Sequence, residues 1–337
     1  MQNGAANATL SPSRPAPRRN ERGASLAIRL SAVIVTATID EPRVRTVQHG
    51  PEAVEALPSG PLEIEHRTLE VGLRAWVERQ TRQKLGYVEQ LYTFGDRDRV
   101  ESDDARPARA LTVAYLALVR EARTGNGAEA EWHSWYRHFP WEDWRAGKPA
   151  GLATLEERLG RWAESAVGEA ERRLRVERLG LAFAAAWNEE LVLDRYELLY
   201  EAGLIPEAWR SLDRTIPRVD GAIFGGPMAA DHRRILATAI GRLRGKIKYR
   251  PVVFELMPPS FTLLQLQRTV EALSGVRLHK QNFRRLVEQQ GLVEETGGIS
   301  AETGGRPARL VRFRREVLLE RPAPGLRLRP ARRAAGG

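Results

Sequence analysis

At 337 residues the chain exceeds one typical domain, so two folded units are expected, each long enough to bury a core of its own. Zero cysteines exclude disulfides, a thiol nucleophile and cysteine-ligated zinc or iron–sulfur centres. No stretch approaches the roughly 20 apolar residues of a membrane span, and "MQNGAANATLSPSRPAPRRNERG" has no apolar signal core, so a cytoplasmic protein is expected. The net charge of +10 is unevenly placed: residues 1–23 hold four arginines and one glutamate, residues 251–337 hold fifteen basic and eight acidic residues, and 24–250 hold 34 of each sign. That distribution fits a chain in which one module meets a polyanion and the other does not.

Residues 1–23 lack apolar periodicity and predict a disordered basic arm. "SLAIRLSAVIVTATI" (25–39) is β-branched and partly alternating, which predicts a buried strand, with "RVRTVQHG" (43–50) as its hairpin partner. The loop "ALPSGPLEIEH" leads to an amphipathic helix over 67–84, with Leu69, Leu73, Trp76, Val77 and Thr81 near helical spacing and Gly86 closing it. "YVEQLYTFGD" (87–96) and "ALTVAYLALVR" (110–120) predict two more strands. Between them and the next helices lies "EWHSWYRHFPWEDW" (131–144). Its His133 and His138 lack convergent acids, so packing of an inserted segment is favoured over a metal box. The run 152–202 repeats apolar residues every three or four positions and predicts helix, as does "MAADHRRILATAIGRLRGKI" (228–247) before Pro251.

The last folded piece predicts strand or turn (251–258), helix (261–275, capped by Thr262 and ended by Gly275), a short turn, helix (279–291, ended by Gly291), and two extended runs around a glycine-rich loop. Helix, turn, helix, wing is a winged helix-turn-helix. In that motif the second helix enters the major groove with its first residues toward the base edges. His279, Lys280, Gln281 and Asn282 fall there, with Arg284 and Arg285 further along. Gln or Asn pairs with adenine, Lys or Arg with guanine, and the remaining cations meet phosphates. Phe283 and Leu286 are expected to face inward. Arg306 and Arg309, with Arg312 and Arg314 behind them, are placed for wing contacts.

The upstream half resembles the Nudix fold, whose signature is G-x5-E-x7-R-E-U-x-E-E-x-G-U. Fitting the end of that pattern puts Arg79 on its Arg, Gln80 on the first Glu, Gln83 and Lys84 on the paired Glu, Gly86 on its Gly and Tyr87 on the apolar residue. The isolated Glu falls on Val71, with Glu70 one position off. The chemistry needs those carboxylates to collect magnesium around a pyrophosphate, so the resemblance implies a helix that binds but does not hydrolyse. "FELMPPSFTLLQLQRTVEALSGVRLHKQNFRRLVEQQGLVEETG" and "GGRPARLVRF" resemble the winged helix of the Nudix-related regulators of NAD metabolism, and 228–247 resembles their linker helix.

The expected fold is α+β: a Nudix-like α/β/α sandwich over 24–250 with a helical insertion at about 122–190, a winged helix-turn-helix over 251–320, and a flexible basic tail over 321–337. The resemblance implies a repressor of NAD biosynthesis or salvage genes that binds operator DNA as a homodimer. Its implied effector is ADP-ribose or a related NAD-derived nucleotide, with no cofactor, metal or membrane partner. Arg79, Phe94, Arg97 and Arg99 are the expected effector contacts, an Arg holding phosphate and an aromatic stacking on a base. Two competing readings are a divergent Nudix-type hydrolase using Glu65, Glu70 and Glu78, and a basic protein- or RNA-binding adaptor.

Overall fold

Leu30, Ala32 and Ile34 alternate with Val33 and Val35, all 1% exposed or less, so this strand must be covered on both faces. The computed structural model describes residues 26–51, 53–95, 109–120, 130–183, 187–210, 219–300, 307–320 and 325–326. Its strands are β1 (Leu26–Ala37), β2 (Pro42–His49), β3 (Val54–Ala56) and β4 (Ser59–Pro61). Helix α1 (Leu69–Thr81) follows, then β5 (Tyr87–Phe94), β6 (Arg109–Leu118) and β7 (Ala130–Ser134). Three helices, α2 (Leu152–Glu164), α3 (Glu169–Ala182) and α4 (Val192–Glu201), precede the short α5 (Pro206–Arg210) and α6 (Gly221–Phe224). The chain then runs through α7 (His232–Tyr249), α8 (Leu263–Ser274), α9 (Lys280–Gln289), β8 (Val293–Ser300), β9 (Ala308–Phe313) and α10 (Val317–Glu320).

The large sheet has the order β3-β2-β1-β6-β5, with β4 added on β1 and β7 on β2. β1 and β6 are parallel, in register from Leu26↔Arg109 to Val35↔Leu118, and the remaining pairs are antiparallel. One face packs Leu30, Ile34, Val113 and Ala117 under Leu73 and Val77 of α1. The other packs Val33, Val35, Ala114 and Leu116 into a cluster that also contains Trp135, Tyr136, Phe139, Trp141, the buried side of α7, and Leu266, Val270 and Leu273 of α8. No helix among the described residues is long and apolar enough to cross a membrane.

Several expectations are corrected. Helix α1 stops at Thr81 rather than 84, because Arg82 takes a left-handed conformation (φ 56°) and donates its N–H to Glu78 O; Gly86 is not its terminator. Of the two readings of 251–258, strand or turn, the structure has the turn, a 3-10 helix at Val252–Glu255. The inserted segment does not leave the sheet at once: β7 pairs with β2, Val44 opposite His133 and Arg45 opposite Trp132. The helix expected as a linker is core, with Ile235, Leu236, Ile240, Leu243 and Ile247 buried. One apolar cluster holds residues from both sides of position 250/251. The stretch 321–337 is not wholly a free tail: Leu326 is fully buried and donates its N–H to Ile247 O at 2.9 Å. The arm at 1–23 lies outside the described residues.

The seam between modules is tight at Gly275, the left-handed residue (φ 75°) that ends α8. Its carbonyl accepts from Trp144 N–H at 2.7 Å, and an added Cβ would overlap Glu142 O. Gly297 in the wing has a similar φ of 77° but open space around it. Gly275→Ala is expected to lower stability by about 2–4 kcal/mol in chemical denaturation, and Gly297→Ala by only about 1–2 kcal/mol, the backbone strain alone.

Candidate functional site

The C-terminal module presents its polar helix by a chain of local constraints. Thr262 caps α8 in a reciprocal box, Gln265 N–H donating to Thr262 Oγ1 (3.1 Å) and Thr262 N–H to Gln265 Oε1 (2.7 Å). Buried Glu271 then fixes the turn: Leu278 N–H, Gln267 Nε2 and Arg277 Nη1 all donate to its carboxylate, at 3.0, 2.9 and 2.7 Å. Phe283 and Val287 are buried and Leu286 packs partly against the core, as the periodicity of "NFRRLV" requires. The outward positions are His279, Lys280, Gln281, Asn282, Arg284 and Arg285, all exposed. None of the cations among them has a carboxylate partner among the described residues.

The wing differs in charge. Arg309 is paired with Glu295 and Arg312 with Glu294, each at 2.6 Å across the β8–β9 ladder. Arg306 lies outside the described residues. Phe313 at the wing base stacks on Phe254 with ring centroids 4.3 Å apart, and Phe261 bridges to Val311, so the ribbon is anchored to the turn before α8. A cleft of about 770 Å³ opens there. Arg120, Arg312 and Arg315 face Glu255, Glu294 and Glu316 within it, a balanced lining that singles out no ligand charge.

On the sheet module, α1 is capped by Thr68, whose Oγ1 accepts from Val71 N–H at 3.1 Å. Trp76 lies over Gly60, where an added Cβ would overlap the indole, and its Nε1 donates to Pro61 O at 2.9 Å. Exposed Arg79 sits 4.3 Å from the Trp76 ring centroid. Gln80 closes the edge of β4 with both halves of its amide: Oε1 accepts from Ser59 N–H (3.0 Å) and Nε2 donates to Ser59 O (2.9 Å). A carboxylate cannot make the second bond. Gln83 and Lys84 lie beyond the end of α1, so the three box positions do not share a helical face as the signature fit implied. Gln83 donates to Lys84 O, while Arg74, paired with Glu70, donates to Leu85 O and Gly86 O and holds that loop.

Of the expected effector residues, the two described ones, Arg79 and Phe94, lie on opposite faces of the sheet. Phe94 stands opposite Thr112, two residues from Ala114, and packs on the sheet face away from α1, edge-on to Tyr92; Arg79 belongs to the α1 side. Arg97 and Arg99 lie outside the described residues. His133 and His138 approach Glu55 at 3.8 and 3.3 Å, and His138 is buried with Nδ1 against Gly226 O. Burial pushes the Glu55 carboxyl up, but His138, then His133 and Arg137, outweigh it and hold its pKa at about 2. Among the described residues no three His, Cys, Asp or Glu side chains converge to hold a metal.

Between the modules lies a group the sequence reading missed. Glu142, fully buried, receives Arg195 Nε at 2.6 Å and Nη2 at 3.0 Å, and Arg244 Nη1 at 2.6 Å. Arg244 Nε continues to Leu273 O at the end of α8 (2.9 Å), and Tyr136 O–H donates to Ala272 O (2.7 Å). Burial alone would raise the Glu142 pKa; the charges of Arg195 and Arg244 reverse this and keep it ionised. The available signal was two arginines, at 195 and 244, interrupting otherwise apolar helical stripes.

Glu142→Ala leaves two guanidiniums buried and unneutralised, and is expected to cost at least about 3–5 kcal/mol in denaturant titration. Gln80→Glu sets a carboxylate against Ser59 O. It is expected to cost about 1–3 kcal/mol at neutral pH, recovering as acid protonates the new side chain, in melts followed from pH 7 to 4.

Comparison with known proteins agrees with this geometry. Residues 253–313 match the family model of the NrtR DNA-binding winged helix domain. Over 86 residues, 26% of the chain, the sequence is 44% identical to the ADPR responsive transcriptional repressor NtrR of Acinetobacter baylyi, an alignment spanning 34% of that relative's length. The structure of Shewanella oneidensis NrtR complexed with a 27mer DNA superposes over 86% of this chain and 94% of its own, with a TM-score of 0.51 at 22% identity. A MutT/nudix family protein from Enterococcus faecalis superposes over 86% and 88%, with a TM-score of 0.50 at 16% identity. The chain thus shares the fold of these solved structures over most of its length, and its residues 253–313 form an NrtR-type winged helix domain.

Proposed function

We propose that the chain is a DNA-binding transcriptional repressor whose sheet module senses ADP-ribose or a related NAD-derived nucleotide without cleaving it. The observation that carries the DNA half is the contrast in charge pairing. Lys280, Arg284 and Arg285 on α9 are exposed and without carboxylate partners among the described residues, whereas Arg309 and Arg312 on the wing are paired. Phosphates favour cations that need not first surrender a partner. The family match over 253–313 and the DNA complex of Shewanella NrtR support the same reading. As a homodimer, the chain would present two α9 helices to half-sites about one helical turn apart or a multiple of it.

The effector half is supported by the name of the Acinetobacter relative and by the state of α1. Gln80 is engaged with Ser59, Gln83 and Lys84 are off the helix, and Glu70 is engaged with Arg74, so the magnesium-collecting array of a Nudix hydrolase has no counterpart at those positions. Arg79 remains the candidate for a phosphate contact on the α1 side. Effector binding changes operator affinity only through a difference in affinity for two arrangements of the modules, and a coupling of about 1–3 kcal/mol corresponds to roughly 5- to 150-fold.

Fluorescence anisotropy with duplex from upstream of the chain's own gene tests the whole reading. Specific binding is expected to change in that range with ADP-ribose, and the nucleotide is expected to be recovered intact after incubation with magnesium. Arg284→Ala with Arg285→Ala is expected to weaken binding at least tenfold and to flatten the salt dependence by about one unit of slope for each phosphate no longer neutralised. Arg309→Ala is expected to do much less. Equal affinity for random duplex, or magnesium-dependent cleavage of ADP-ribose, would overturn the proposal in favour of the adaptor or the hydrolase.

A further inference from the structure

Five arginines of the described structure are buried, and four of them are neutralised: Arg195 and Arg244 by Glu142, Arg233 by Glu207, Arg234 by Glu197. The fifth is Arg45 on β2. It is 2% exposed, and its Nε and Nη2 have no hydrogen-bond partner among the described residues. Its neighbours are the Trp132 ring, with the guanidinium carbon 5.3 Å from the centroid, and the charge of the more distant, exposed Glu131.

Two further orphans stand beside it. Trp132 Nε1 and Thr36 Oγ1 are buried without partners among the described residues. Trp132 is directly opposite Arg45 in the β2–β7 ladder. The β1–β2 register, Val35↔Val44 and Thr36↔Arg43, puts Arg45 beside Ile34 and one diagonal step from Thr36. Ile34 and Trp132 belong to the cluster under α1, so the three polar groups share that face. They also cluster near the C-terminal end of β1, where it runs parallel to β6, the end of a parallel pair at which open α/β sheets take their ligands.

A guanidinium shut away from water with unmade N–H bonds is costly in the free protein, and an anion that supplies the acceptors relieves it. Trp132 is only partly buried and its ring lies against Arg45, so it offers an aromatic face to an incoming ligand. We infer that Arg45, with Thr36 and Trp132, forms the anion-binding subsite of the effector cleft, taking the phosphate of a nucleotide. The inference rests on the sensor reading above and assigns it a residue that no motif marks.

Calorimetric titration of the full chain with ADP-ribose and, separately, with inorganic pyrophosphate tests it, together with melting of the free proteins. Arg45→Met is expected to weaken both ligands at least tenfold, with Arg45→Lys between it and the wild type. Free Arg45→Met is expected to melt at or above the wild type, because an uncompensated charge leaves the core. A purely structural arginine would give a lower melting temperature and unchanged affinities, which overturns the subsite. Wild-type affinity for ADP-ribose in Arg45→Met overturns it also, while the sensor reading stands. Pyrophosphate binding that depends on Arg45, in a chain that ignores ADP-ribose, keeps the subsite and removes the nucleotide reading. Failure of both ligands to bind the wild type removes the subsite.

Discussion

One carboxylate, that of Glu142, makes the two halves of this protein a single body. It neutralises a guanidinium from α4 and another from α7, and the second of these continues to the last carbonyls of α8. Buried ion groups of this kind gain little over apolar packing when intact, but losing one member leaves charge without solvent or partner. Their geometry is correspondingly exacting. The aromatic segment 135–144, the helix between the modules and the first helix of the winged domain must come together in one arrangement for all three charges to be satisfied. Lys246 repeats the theme at the sheet edge, where it meets Tyr87 and Glu89 of β5.

This seam bears on how a bound nucleotide would reach DNA. A winged helix on a loose tether would ignore events in the sheet module; one that shares a core and an ion group with it cannot. The insertion is thus the material of the junction, with Tyr136, Glu142 and Trp144 all lying against α8 or the residue that ends it. In α1, by contrast, a position where a hydrolase keeps an acid has become a fastener, Gln80 to Ser59, beside two more: Trp76 to Pro61 and Arg74 to the loop after the helix. A helix stitched to its neighbours through amide and indole is suited to hold shape while a ligand sits nearby.

The parts legible in the sequence were those written in local rules. The alternation of β1, the Thr262 cap, the Gly275 stop and the inward Phe283 follow from periodicity and capping, and the structure has them. The end of α1 was misread because Arg82 takes a left-handed conformation that sequence assigns to glycine. Phe94 faces away from α1 because a bulge between Gln90 and Tyr92 resets the facing of β5, which no sequence pattern marks. Glu142, Arg195, Arg244 and Arg45 were not found at all, since a charged residue in sequence reads as surface, and only long-range packing shows which charges are inside.

Leu326 has a consequence for how the molecule is made. It lies in the same core as Val33 and Leu273, and its N–H occupies a carbonyl at the end of α7. Strand β1 therefore shares a core with a residue that follows the whole winged domain, and the parallel pairing of β1 with β6 already spans a long intervening segment. Such a topology closes late and favours one concerted transition over stepwise assembly of modules. A nascent chain can form its hairpins and helices early, but the helix joining the two halves receives this contact only after the whole winged domain has been made.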